Sequence, residues 1–142
     1  MTVSTSDDAS PFRTIGEEAV AFRADGAVSL LGSRCRSCET LYVPPAPVCP
    51  GCGGEDVVEE VQPSQGTLYS YTRVHVGPGP WRKPVVLGYV DLDNGVRVFT
   101  HLAGDGWAIG DRMRLAAGEV GVDADGTRLR TYVFERKDDD RV

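Results

Sequence analysis

All four cysteines of this 142-residue chain fall between positions 35 and 52, in two pairs of one spacing: Cys35-x-x-Cys38 and Cys49-x-x-Cys52. A two-residue gap lets each tight turn aim both sulfurs at one point, and two such turns supply the ligands of a closed four-cysteine metal site. The connection between them, TLYVPPAPV, is stiffened by Pro44, Pro45 and Pro47, while Pro50, Gly51 and Gly53 suit a second knuckle whose backbone N–H groups turn toward thiolate. Structural zinc is the expected occupant. Tetrahedral sulfur ligation also accepts iron, so a rubredoxin-like redox iron competes with it, as does a pair of redox-active dithiols. Four sulfurs leave no open coordination position, which argues against catalysis at the metal. A bound ion would supply folding free energy that so short a ribbon lacks on its own.

Other groups capable of chemistry are few. The two histidines, His75 and His101, each sit in an apparent strand, with no G-x-S-x-G motif, spare nucleophilic cysteine or paired carboxylates nearby. A structural or surface role is expected for both. Asp91 and Asp93 flank a hairpin, where capping and solvation account for them. A chain so equipped is not expected to catalyse alone.

Composition narrows the class further. Hydrophobic content of 41% and charged content of 25% are those of an ordinary globular protein. The net charge of −6 and the pI near 4.8 argue against a general binder of nucleic acid or anionic membrane. No apolar run approaches the roughly 20 residues of a membrane span. MTVSTSDDAS has neither the basic nor the apolar region of a signal peptide, so a cytoplasmic location with reduced thiols is expected.

The elements that must position these residues read as mostly β. Residues 1–14 are polar and expected to be disordered. Ile15, Ala19 and Phe22 recur at helical spacing, which predicts a helix over 15–24 stopped near Gly26. This helix and the zinc ribbon, with a strand on either side of the cysteines at 27–34 and 56–62, form a first unit over 15–62. The second unit, 63–136, predicts five strands. GTLYSYTRVHV alternates, with Leu68, Ser70, Thr72, Val74 and Val76 on one face and Tyr69, Tyr71, Arg73 and His75 on the other. VVLGYVDLD and VRVFTHLAG flank Asn94-Gly95, a strong hairpin signal. Trp107 and Gly110-Asp111 read as hydrophobic cover and turn before the last two strands, RMRLAAGE and TRLRTYVFER. Five strands in this length fit a five-stranded OB-fold barrel. The charged tail, 137–142, closes the chain.

In this order, a helix, a short strand, C-x-x-C, a proline pair, C-P-x-C-G, "GTLYSYT", "PVVLGYVDLDNGVRV" and "IGDRMRL" resemble the zinc-ribbon plus OB-fold family, long labelled a domain of unknown function. The resemblance covers about residues 16–136. It implies a rubredoxin-like ribbon, an OB barrel, and a non-catalytic partner of a thiolase-like catalytic subunit. Family members accompany thiolases and thiolase-fold retro-aldolases, including those of steroid side-chain breakdown. The OB domain is implied to help bind the CoA part of an acyl-CoA substrate, and the ribbon to help dock the subunits. On that implication, the loop GPGPWRKP presents Trp81, Arg82 and Lys83 to coenzyme A or to the partner, with Tyr71 and Arg73 of the first barrel strand nearby. Anchoring of Trp81 on the core is the competing role.

A single-stranded nucleic-acid module is the alternative function, since Tyr69, Tyr71, Arg73 and His75 on one barrel face would stack bases. The acidic balance and the lack of a continuous Lys/Arg stripe argue against it. Apolar surface kept for a partner predicts that the lone chain is less soluble than its complex.

Overall fold

The computed structural model describes residues 12–137 except Ala24 and Pro78. The expectations for residues 1–11 and for the tail 138–142 therefore lie outside the described residues. Ten strands follow: β1 (Phe12–Thr14), β2 (Val20–Phe22), β3 (Val28–Cys35), β4 (Leu41–Tyr42), β5 (Val57–Val61), β6 (Gln65–Val74), β7 (Val85–Leu92), β8 (Arg97–Ala103), β9 (Arg112–Val122) and β10 (Arg128–Arg136).

Strands β6 to β10 close on themselves. β6 pairs β7, β7 pairs β8, β8 pairs β10 in parallel, β10 pairs β9, and β9 returns to β6. This is the five-stranded, Greek-key OB barrel expected from the strand count. The Asn94-Gly95 turn joins β7 to β8, with Gly95 N–H donating to the Leu92 carbonyl at 2.8 Å. Residues 12–14, expected to be disordered, form β1, which lies parallel to the first part of β10 in the register Phe12↔Arg128 to Thr14↔Arg130.

Among the described residues there is no α-helix, so the helix over 15–24 is corrected. Residues Glu17–Ala19 make one 3-10 turn, and Val20–Phe22 run antiparallel to β3 with Val20 opposite Leu30. A segment this short does not hold a helix without packing. Ala19 and Val20 are both buried, and adjacent burial suits a chain entering a strand better than a helical stripe.

The inner faces of the barrel strands meet in one core of Leu68, Val90, Leu92, Val98, Leu102, Met113 and Phe134. This core does not stop at the ribbon. Leu30 of β3 and Ala19 belong to the same cluster, with Leu41 and Val43 packed against it. Each large buried side chain among them removes enough apolar surface from water to stabilise the fold by about 1.5–3 kcal/mol. Ribbon and barrel therefore share their hydrophobic stabilisation.

The expected alternation along β6 fails at one point. The register slips between Leu68 and Ser70, so Tyr69 occupies a bulge. An extra residue reverses the phase of everything after it. Tyr69 is exposed, whereas Tyr71 packs against the barrel core. The two do not share the single face read from the sequence.

Candidate functional site

The cysteines converge. Cys35 and Cys52 sulfurs lie 3.7 Å apart, Cys38 and Cys49 sulfurs 3.6 Å, and all four fall within 4.8 Å of one another. A zinc ion about 2.3 Å from each of four tetrahedral sulfurs sets them about 3.8 Å apart, so the donor set fits. The two knuckles repeat one backbone plan. Cys35 N–H donates to Thr40 O and Glu39 N–H to Cys35 O; likewise Cys49 N–H donates to Gly54 O and Gly53 N–H to Cys49 O. The equivalent residues Glu39 and Gly53 both take positive φ, 70° and 76°. Backbone N–H groups of Cys38 and Gly51 approach the sulfurs of Cys35 and Cys49 at 3.5 and 3.2 Å.

Their electrostatics call for a cation. The Thr40 hydroxyl, its backbone N–H and the Cys49 thiol hold Cys38 down at about 6. For Cys52, the Gly54 N–H pulls the other way, but the thiols of Cys35, Cys38 and Cys49 together with burial push it up to about 11. Four sulfurs this close cannot all be thiolate without a divalent ion between them. The four cysteines form a zinc-ribbon site in which the metal, once bound, cross-links the two knuckles.

The segment 80–82 of the loop between β6 and β7 does not project. It folds back as a strap along β9: Arg82 N–H donates to Val120 O at 2.9 Å and Val122 N–H to Pro80 O at 3.0 Å. Gly121 is opposite Trp81, and a Cβ there would collide with the Pro80 carbonyl, so only glycine permits the approach. Trp81 packs on a second apolar cluster of Val120, Leu129 and Val133. Its ring stands 5.6 Å from that of His101. The geometry thus gives Trp81 an anchoring contact on the barrel.

Two cavities flank this strap. One of about 340 Å³ is lined by Val74, Gly77, Trp81, Lys83, Val85, Leu87 and His101. The other, about 180 Å³, lies toward Arg82, Gly118, Glu119 and Val133 and again touches His101. The Arg82 guanidinium is engaged by the Glu119 carboxylate and carbonyl, and Lys83 Nζ donates to Trp81 O at 3.4 Å. Burial lowers the pKa of His101, favouring neutral imidazole.

Tyr71 and Arg73 go elsewhere. Tyr71 packs on Trp107 at 5.6 Å, and the Arg73 guanidinium lies over both rings, 5.7 and 5.2 Å from their centroids. They face the opposite side of β6 from Val74, which lines the larger cavity. The structure therefore brings Trp81 and Lys83 together at the cavity and separates Tyr71 and Arg73 from it. Sequence reasoning passed over His101 as a site residue. Its alternation with Phe99 and Arg97 on the outer face of β8 was the available signal.

That outer face also bears on the nucleic-acid alternative. Tyr69, Tyr89 and Phe99 are exposed there, with the Tyr89 and Phe99 rings 5.0 Å apart. The Arg97 guanidinium lies 3.6 Å from the Tyr69 centroid, yet Asp91 holds it through contacts of 2.6 and 3.1 Å. A neutralised arginine contributes little toward phosphate. The stacking face read from the sequence is divided by the bulge, with His75 exposed at its far end.

Comparison with known proteins agrees with this organisation. Two adjoining family models match: the ChsH2 rubredoxin-like zinc ribbon domain over residues 25–58 and the ChsH2 C-terminal OB-fold domain over residues 59–118. The chain belongs to this family. Among ChsH2-family relatives, the benzoylsuccinyl-CoA thiolase subunit BbsA of Thauera aromatica is 34% identical over 116 residues, which cover 80% of this chain and 81% of that protein. A solved structure of the Ltp2-ChsH2(DUF35) aldolase is similar at TM-score 0.60 and 33% identity, covering 76% of this chain and 84% of that one. A DUF35 domain-containing scaffold protein of Methanocaldococcus jannaschii is 38% identical over 72 residues, 49% of this chain and 51% of that protein. The ribbon match contains all four cysteines, and the barrel match contains the strap and His101.

Proposed function

We propose that this ChsH2-family chain is a non-catalytic accessory subunit of a thiolase-type enzyme that makes or breaks a carbon–carbon bond in an acyl-CoA. The observation that carries the proposal is the likeness to a named thiolase subunit over four fifths of both chains. The aldolase neighbour points to the same class of assembly. The site chemistry is consistent with it. Among the described residues the titratable groups at the strap form no nucleophile–base pair, and the four sulfurs converge as one metal-ligand set. A thiolase-like partner then carries the catalytic residues. Aromatic and steroid side-chain acyl-CoA both remain within this class, as do thiolysis and retro-aldol cleavage. Cytoplasmic residence follows from the need to keep four thiols reduced.

Within the complex, the strap cavity with Trp81 and Lys83 contacts coenzyme A, and the exposed aromatic face of β6–β8 contributes apolar contact surface. Capture tests the reading. The tagged chain is purified from its native host and the bound chains are identified by mass spectrometry. A thiolase-fold protein at near-stoichiometric yield supports the proposal. Recovery of nucleic-acid-handling proteins alone, lost on nuclease treatment, overturns it in favour of the nucleic-acid module.

A further inference from the structure

The two cavities beside the strap meet at one polar group. His101 lines both, and among the described residues neither of its ring nitrogens has a hydrogen-bond partner. A neutral imidazole offers one N–H donor and one acceptor nitrogen. That pair complements an amide, which offers one carbonyl and one N–H. Around it the walls are apolar: Trp81, Val74, Val85 and Leu87. The larger space, about 340 Å³, lies within the size range of small-molecule sites.

Charge restricts what part of a ligand belongs there. Arg82 is engaged by Glu119, which also faces Arg128 at 3.5 Å. Lys83 stands at the rim with its ammonium turned to the Trp81 carbonyl. A nucleotide carrying several phosphate charges requires several committed cationic donors. The cavity lining provides one lysine.

We infer that the strap cavity receives the uncharged, amide-bearing pantetheine arm of the thioester, with His101 hydrogen-bonding one of its amides, and that the nucleotide phosphates are held outside it. The inference rests on the acyl-CoA reading above and specifies which part of the molecule this chain grips. His101 acts as a binding residue, and Trp81 forms the wall beside it.

Calorimetry on the full-length, metal-loaded chain tests this with three probes: S-methyl-CoA, S-methylpantetheine and adenosine 3′,5′-bisphosphate. The methylated sulfur prevents competition for the zinc. Pantetheine binding within about threefold of the CoA compound is expected, with no saturable binding of the bisphosphate. H101F weakens both pantetheine-bearing probes by roughly three- to tenfold, the range of one neutral hydrogen bond. H101Q, which keeps an amide donor and acceptor, restores part of the loss. Metal content and circular dichroism establish that the variants are folded. CoA affinity carried by the bisphosphate overturns the inference and leaves the acyl-CoA reading standing, as does undiminished binding by folded H101F. No saturable binding of either thioether compound overturns the inference, while the accessory-subunit reading is decided by capture of its partner.

Discussion

Replacing Gly121 by alanine gives opposite signs for two views of the strap. In a free strand interior, alanine in place of glycine stabilises by roughly 0.5–1 kcal/mol, because glycine loses more backbone freedom on folding. At Gly121 the added methyl meets the Pro80 carbonyl and the backbone of Trp81, so the strap must lift. Lifting it uncovers Trp81. A tryptophan buries up to about 250 Å²; half of that at about 25 cal/mol/Å² is roughly 3 kcal/mol. The backbone bonds on either side, Arg82 N–H to Val120 O and Val122 N–H to Pro80 O, contribute about 1 kcal/mol each. Partial relaxation recovers some of this, and the alanine gain offsets more. The net expectation is a loss of about 2 kcal/mol, which for a chain of this size lowers Tm by roughly 5–8 °C. Urea unfolding followed by circular dichroism at fixed zinc reads it, as a lower midpoint with unchanged slope. A G121A protein as stable as the parent, or more so, refutes the close packing on which the strap cavity depends.

Other outcomes follow from the same structure. L30A removes a fully buried side chain shared by ribbon and barrel, and should destabilise the whole fold by about 3 kcal/mol in a single transition; two separate melts by near- and far-ultraviolet dichroism would contradict the shared core. Chelation of the metal should likewise lower the barrel's melting temperature together with loss of ribbon signal, and an unchanged barrel melt would count against the coupling. His101 is held neutral by burial, so the unfolded chain binds the extra proton below about pH 6.5. Its contribution is complete above that pH and is lost as pH falls, and H101N should show a shallower decline of stability between about pH 7.5 and 5.5 than the parent. Y89S/F99S should raise the solubility of the lone chain with little change in Tm, because both side chains are exposed; equal solubility would remove the case for an apolar contact face there.

What was legible in the sequence was what is encoded locally. The cysteine spacing and the Pro-Gly turns determine each knuckle over a short span, and the paired hydrogen bonds of Cys35–Thr40 and Cys49–Gly54 show the same plan twice. Asn94-Gly95 names its hairpin because the turn demands positive φ. The misread helix arose from Ile15, Ala19 and Phe22, whose spacing suits a helical stripe, while their actual partners lie apart: Ile15 on β10 and the second apolar cluster, Ala19 in the barrel core, Phe22 against β3. The bulge at Tyr69 has no residue-type signature, since the alternation runs unbroken through it. Proline, glycine and cations mark residues 77–84 as a surface loop that presents Trp81, Arg82 and Lys83. Its true course is determined by Gly121, far along the chain from Trp81. His101 gained its importance the same way, from the strap that crosses it.

Two of the barrel strands, β9 and β10, would each leave a stretch of unpaired backbone if the five strands stood alone. β8 reaches only Val133–Glu135 of β10, and β1 takes Arg128–Arg130 on that side. β6 reaches only Arg112–Arg114 of β9, and the strap takes the stretch around Val120–Val122. Both additions close positions at which another extended chain would add as a strand and begin aggregation. For the strap this sets a limit on its motion. A strap that swung away would bare a polymerisation edge at every opening, so its backbone contacts with β9 act as a fixed closure rather than a lid.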